Sequence, residues 1–197
     1  MQTPGRWRLV AMAAGAFAVF CVAWPLGANP PAAPATAVQA LNRLERDIEH
    51  TFPRAAQIDP DAVAALVAGA VPPVLVDVRE ADEFAVSRLL TAVRLDPDAS
   101  PAQARALLGP SVRNRVVVLY CAVGYRSSRM AERIGTALRA EGATRVVSLR
   151  GGVFAWRNAG RPVVNAAGPT PYVHPYDARR RHFLVRQDLI ATRPVAP

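Results

Sequence analysis

Cysteine and histidine are scarce in this 197-residue chain, and lysine is absent. The two cysteines are Cys21, inside an N-terminal apolar stretch, and Cys121, inside the globular part. That placement argues against an internal disulfide. No C-x-x-C pair or Cys/His cluster exists, which excludes a structural zinc site. His50, His174 and His182 are too scattered to form a catalytic or metal-binding set, and no cofactor is expected. All 24 basic residues are arginine, and alanine and 18 prolines crowd the chain. This is a composition bias and carries no functional signal. Blocks of like charge are missing too: the net charge of +9 is spread along the chain, and Arg179-Arg180-Arg181 is the one basic run. No nucleic-acid partner is therefore expected, although a basic surface still attracts small anions.

The length fits one domain of ordinary size with extensions. Arg6 and Arg8 precede an apolar run from Leu9 to Ala28. This is a charged n-region followed by an h-region, so residues 1–28 are expected to be either a signal peptide cleaved after Ala28 or a membrane anchor through residues 9–28. Bulky Phe20 before Cys21 spoils a lipobox. Both alternatives place the domain outside the cytoplasm, in the periplasm. Residues 29–40 are rich in Pro and Ala and read as a linker.

The remainder alternates short apolar runs with helical patterns. A short helix is expected over Leu41 to His50. Asp59-Pro60 and Ser100-Pro101 are helix starts, with an N-cap residue and Pro at the first helical position. Val74 to Val78, Ala92 to Leu95, Val116 to Tyr120 and Arg145 to Leu149 read as strands. Val116 to Tyr120 shows no alternation, which predicts burial of both faces, as in a parallel sheet. Cys121 to Arg126 is expected as a loop, with a helix from Ser127 to about Glu141 whose Met130, Ile134 and Leu138 share one face. Gly151-Gly152 leads into a short helix around Trp156, a core residue. The fold class is α/β, with a mainly parallel central sheet flanked by helices.

Cys121 stands between the clearest strand and the start of a helix. Loop amides and the first helical turn carry partial positive charge and stabilise an anion there. Arg126 is expected to add a full positive charge, favouring the thiolate that a nucleophile or sulfur carrier needs. Gly124 supplies the free φ that a tight loop requires, and Ser127 is expected to cap the helix and face the sulfur. Tyr125 is expected at the pocket mouth. Asp77 and Arg79 read as a structural ion pair at a strand end.

These residues resemble the rhodanese-like domain, a sulfurtransferase module, over roughly Leu41 to Asn165. Asp77-Val78-Arg79-Glu80 with Glu83-Phe84 is similar to the family's D-V-R-E-x-x-E-Y/F segment. Cys121-Ala122-Val123-Gly124-Tyr125-Arg126-Ser127 is similar to its C-x-x-G-x-R-S loop. Leu149-Arg150-Gly151-Gly152, Trp156 and Gly160-Arg161-Pro162-Val163 are similar to its closing L-x-G-G…W…G-x-P-V. The resemblance implies a persulfide on Cys121, with Arg126 beside it and the outer sulfur cradled by Ala122, Val123, Gly124, Tyr125 and Ser127. It also implies a small-molecule sulfur donor such as thiosulfate and a thiol acceptor. Where the family usually has a G-H-I-P-G-A type stretch, this chain has Ser87-Arg88-Leu89-Leu90-Thr91-Ala92, so the turn there is expected to differ.

Two other functions are weighed. Phosphatases and arsenate reductases on similar scaffolds resemble C-x5-R, whereas four residues separate Cys121 from Arg126. The shorter loop fits a single sulfur better than a tetrahedral oxyanion. The domain can also act as a binding or sulfur-carrier module, with residues 166–197 as an arm for a periplasmic or membrane partner. If ordered, this extension is expected to pack beside the domain.

Overall fold

The structure is a computed structural model that describes residues 35–195. The expected signal or anchor segment, with Cys21, lies outside the described residues. Among the described residues, no helix is long and apolar enough to cross a membrane. The first helix, α1 (Ala35–Thr51), begins inside the stretch read as linker. Leu41, Leu44 and Ile48 recur at helical spacing along it, and Leu41 and Ile48 are buried.

Five strands form one sheet: β1 (Gln57–Ile58), β2 (Val74–Asp77), β3 (Val93–Arg94), β4 (Val116–Tyr120) and β5 (Arg145–Leu149). Their order is β1-β5-β4-β2-β3, and every pairing is parallel. The connecting helices are α2 (Pro60–Ala68), α3 (Ala81–Val86), α4 (Pro101–Leu108), α5 (Tyr125–Ala140) and α6 (Gly152–Asn158). Ser100 and Gln103 close a capping box at α4, and Glu80 and Glu83 close one at α3.

The two faces of the sheet explain its apolar runs. Val74, Val76, Val117 and Leu119 pack on one side with Met130, Ile134 and Leu138 of α5. Leu75, Val118, Tyr120, Val147 and Leu149 pack on the other with Val63, Phe154 and Trp156. Burying each such Val or Leu contributes roughly 1.5–3 kcal/mol, and the sheet therefore excludes water from both faces.

One local expectation is corrected, and two strand pairings are new. The helix after β4 starts at Tyr125 rather than Ser127, and its N-cap is Gly124 in the left-handed region at φ 102. The strand β1 was not foreseen; two residues suffice because it only edges β5. A second pairing was also not foreseen: β6 (Val163–Asn165) pairs antiparallel with β7 (Gly168–Thr170). At the altered turn, exposed Thr91 takes φ 66, so a β-branched residue holds a left-handed conformation there.

The C-terminal extension is ordered against the domain. Val173 and Leu184 are buried in the core on the α6 side of the sheet. Val173 exchanges backbone hydrogen bonds with Leu189 and Ala191, and the Asn158 side chain bonds the backbone of Phe183 and Val185. These anchors lie before and after residues 174–180, which cross to the carboxyl ends of the strands.

Candidate active site

The site forms outside the carboxyl ends of β2, β4 and β5, where parallel α/β sheets open a crevice. Cys121 follows β4 directly and is 1% exposed. Its Sγ accepts a hydrogen bond from the Gly124 N–H at 3.2 Å. The Ser127 hydroxyl lies 3.8 Å from the same sulfur. Ser127 is thus beneath the sulfur but does not cap the helix; its Oγ also meets the Gly124 carbonyl at 3.1 Å and Ser148 Oγ at 2.9 Å. Ser128 and Gln57 continue this buried polar chain at 3.2 and 3.0 Å.

The loop is held from behind by α6. The N–H groups of Val153 and Phe154 donate to the carbonyls of Cys121 and Ala122 at 2.9 and 3.1 Å. No cis peptide occurs among the described residues, and across a trans peptide the N–H points opposite to the C=O. The Ala122 and Val123 N–H groups therefore face away from α6, on the side where the pocket opens. Gly152, at φ 56, makes this docking possible, because a Cβ there would lie 2.6 Å from the Ala122 carbonyl oxygen. Gly124 is required by its φ of 102 instead: a Cβ there would make only ordinary contacts, 3.6 Å from Gly151 N and 3.8 Å from the Ile48 side chain of α1.

Arg126 lines the pocket together with Cys121, but its hydrogen bonds go to a carboxylate on α3. Nη1 and Nη2 each donate to a Glu83 carboxylate oxygen at 2.8 Å, and Glu83 is buried. Burial disfavours the Arg126 cation. The Glu83 hydrogen bonds, supported by the charges of Cys121, Glu83 and Tyr176, outweigh it and hold the guanidinium pKa above its ordinary range. Asp77 and Arg79 form the structural pair expected: fully buried, with the Arg79 guanidinium on both Asp77 oxygens and on the Ser87 carbonyl.

Cys121, Ala122, Val123, Tyr125 and Arg126 line a small pocket of about 40 Å³. Tyr125 is half-exposed at its rim and meets Phe52 edge-on, with centroids 4.9 Å apart. Two further lining residues, Tyr176 and Arg180, come from the C-terminal extension and were not foreseen. Sequence reasoning also passed over Glu83, although it stands in the quoted D-V-R-E-x-x-E segment. Among the described residues, no group of three or more His, Cys, Asp or Glu is placed to hold a metal ion.

Comparison with known proteins places this geometry in context. The model of the family described as "Rhodanese-like domain" matches residues 59–159. A protein named "Sulfurtransferase" from Allochromatium vinosum is 30% identical over 112 residues, covering 57% of this chain and 97% of the relative. An uncharacterized protein of Synechocystis is 34% identical over 92 residues, 46% of each chain. Among solved structures, one titled "Crystal Structure of Thiosulfate sulfurtransferase from Pseudomonas aeruginosa" superposes with TM-score 0.49 at 20% identity, covering 75% of this chain and 26% of that one.

Proposed function

The chain belongs to the rhodanese-like domain family, and from that premise we propose that it transfers a sulfane sulfur atom through a persulfide on Cys121. The observation that carries this is the Gly124 N–H on Cys121 Sγ at 3.2 Å, at the floor of a pocket whose loop amides are turned outward by α6.

In the first half-reaction the Cys121 thiolate attacks the outer sulfur of a donor such as thiosulfate. The new bond is Sγ–S; the donor S–S bond breaks and its electron pair leaves with sulfite. The outer persulfide sulfur then carries the negative charge, and the amides of Ala122, Val123 and Gly124 are the donors available to it. A thiol acceptor, as its thiolate, attacks that sulfur in the second half-reaction and returns Cys121 to the thiolate. Ser127 holds Gly124 and touches Sγ, so it positions the nucleophile. Arg126, fixed to Glu83, keeps a cation at the pocket wall while spending both Nη groups on the fold.

The pocket of about 40 Å³ has room for a few water-sized groups, each needing roughly 10–15 Å³ on this measure. It seats the transferred sulfur, leaving the rest of a small donor at the open mouth. The Arg-flanked apolar run of residues 1–28 supports a periplasmic setting, released or anchored, for donor and acceptor.

The test is mass spectrometry of the protein after thiosulfate treatment. A gain of about 32 Da on the Cys121 peptide, absent in Cys121→Ser, is expected. No adduct with thiosulfate or another sulfane donor, and equal turnover in Cys121→Ser, would reject the proposal.

A further inference from the structure

The outer wall of the Cys121 pocket comes from outside the matched family region. Tyr176 and Arg180 line it, whereas the family match ends at residue 159. The wall is built from several interlocking contacts. The Arg126 guanidinium lies over the Tyr176 ring at 4.4 Å, and that of Arg180 lies over the same ring at 4.8 Å. Tyr176 adopts φ 67, a left-handed conformation uncommon for a bulky residue, and donates its N–H to Nδ1 of buried His174 at 3.1 Å. Asp177 accepts from the Arg180 N–H at 2.7 Å and pairs with Nη1 of the same residue. The segment is pinned on both sides by Val173 and Leu184 in the core.

Charge at this wall is divided unevenly. Both Nη groups of Arg126 are turned onto Glu83. Arg180 gives Asp177 one nitrogen, and among the described residues its Nε and Nη2 have no hydrogen-bond partner. A guanidinium carries five N–H donors, so most of its capacity remains for an anion at the mouth.

We propose that Tyr176 and Arg180 determine which sulfur donors reach Cys121: Arg180 draws small anionic donors to the mouth, and Tyr176 shuts out bulky ones. This rests on the sulfur-transfer function proposed above and assigns its selectivity to the C-terminal extension.

The test uses the full-length chain and reagents that do not depend on sulfur transfer. Cys121 is alkylated with iodoacetate and, separately, with iodoacetamide, which is nearly the same size but neutral; peptide mass spectrometry resolves Cys121 from Cys21. The ratio of the two rates cancels any change in thiolate fraction. Arg180→Gln is expected to lower the iodoacetate/iodoacetamide ratio about fivefold, the scale of one half-exposed charge near the reacting atom. Arg180→Lys is expected to restore it, and Arg179→Gln to leave it unmoved. Tyr176→Ala is expected to raise the rate with N-phenylmaleimide relative to iodoacetamide by about tenfold or more, since an open mouth admits the ring. With thiosulfate as donor, the loss in Arg180→Gln falls on KM rather than kcat. Unchanged ratios in Arg180→Gln and Tyr176→Ala, or an equal fall in Arg179→Gln, overturn the proposal. Failure of thiosulfate to load wild-type Cys121 instead counts against sulfur transfer, and the alkylation ratios separate the two results.

Discussion

Arg126 and Glu83 face each other through two parallel N–H···O bonds of 2.8 Å each, joining the first turn of α5 to α3 across the mouth of the site. The fork-to-fork geometry is the strong form of this contact. Glu83 also accepts from the Glu80 N–H at 3.1 Å in the α3 capping box. Side-chain exposures of 15% and 3% leave little water to replace a lost partner.

Removing Arg126 alone therefore strands a buried carboxylate. Arg126→Met is expected to cost ~3 kcal/mol of stability, and Glu83→Leu a similar amount. The double variant Arg126→Met/Glu83→Leu is expected to lose less than the sum by ~2 kcal/mol. Arg126→Lys fails to restore the pair, since an ammonium cannot make two parallel bonds. Chemical denaturation of wild type and the four variants measures this; strictly additive losses in the double variant would show that the pair is not coupled.

Much of the fold was legible in the sequence because single runs carried it. Val116–Tyr120 is a continuous apolar stretch and Arg145–Leu149 a short Val-containing one, and both strands have those bounds. Pro after an N-cap residue marked α2 and α4 for a local reason. The start of α1 at Ala35 was hidden because Ala and Pro dominate the preceding residues. At the site, Cys121, Gly124 and Ser127 stand in one short segment, so their proximity was readable. The Glu83–Arg126 pair spans 43 positions and depends on β2 lying beside β4. Tyr176 reaches the pocket because Val173 and Leu184 bury themselves in the core on the α6 side of the sheet, a tertiary event with no local pattern.

The close approach of α6 to the loop makes a second prediction. Gly152 combines φ 56 with backbone atoms of Cys121 and Ala122 where a Cβ would go. Those atoms cannot swing aside like a flexible side chain. Gly152→Ala is expected to cost ~2–4 kcal/mol through left-handed strain and collision. It should also reduce persulfide loading, because the carbonyls of Cys121 and Ala122 lose their registry with the Val153 and Phe154 N–H groups. Thermal melting and the thiosulfate mass assay read the two effects; a melting temperature equal to wild type would refute the close-packing account.

A half-buried acid behind the loop gives a pH dependence. The Glu45 side chain of α1 sits against Gly151. Burial pushes its carboxyl up from 4.5 to about 7, Arg150 pulls it down, and Asp59 and Glu49 add to the rise. The fold therefore holds the proton more tightly than the unfolded chain. The stabilisation is complete below the unfolded value and is lost as pH rises through about 7. Because the group is only partly buried, the discounted size is on the order of 1 kcal/mol. Relative to wild type, Glu45→Gln is expected to gain about 2–4 °C in melting temperature between pH 5 and pH 8. Parallel melting curves for both proteins across that range would contradict the assignment.

Thr91 offers a test with the opposite sign. It occupies the turn where glycines of the family motif are missing, and it holds φ 66 with its side chain in solvent. A left-handed β-branched residue is strained by roughly 1–2 kcal/mol. Glycine removes that strain, while its looser unfolded chain returns roughly 0.5–1 kcal/mol of it. Thr91→Gly is thus expected to stabilise the protein by about 0.5–1 kcal/mol, or about 1–4 °C in melting temperature. The turn lies between α3 and β3, outside the pocket lining, and Arg88 beside it remains tied to Val164 by two backbone hydrogen bonds of 2.8 Å. Thr91→Asn, which tolerates the same region better than threonine, should fall between the two. A loss of stability in Thr91→Gly would mean that the Thr91 side chain makes a contact in solution that offsets its backbone strain.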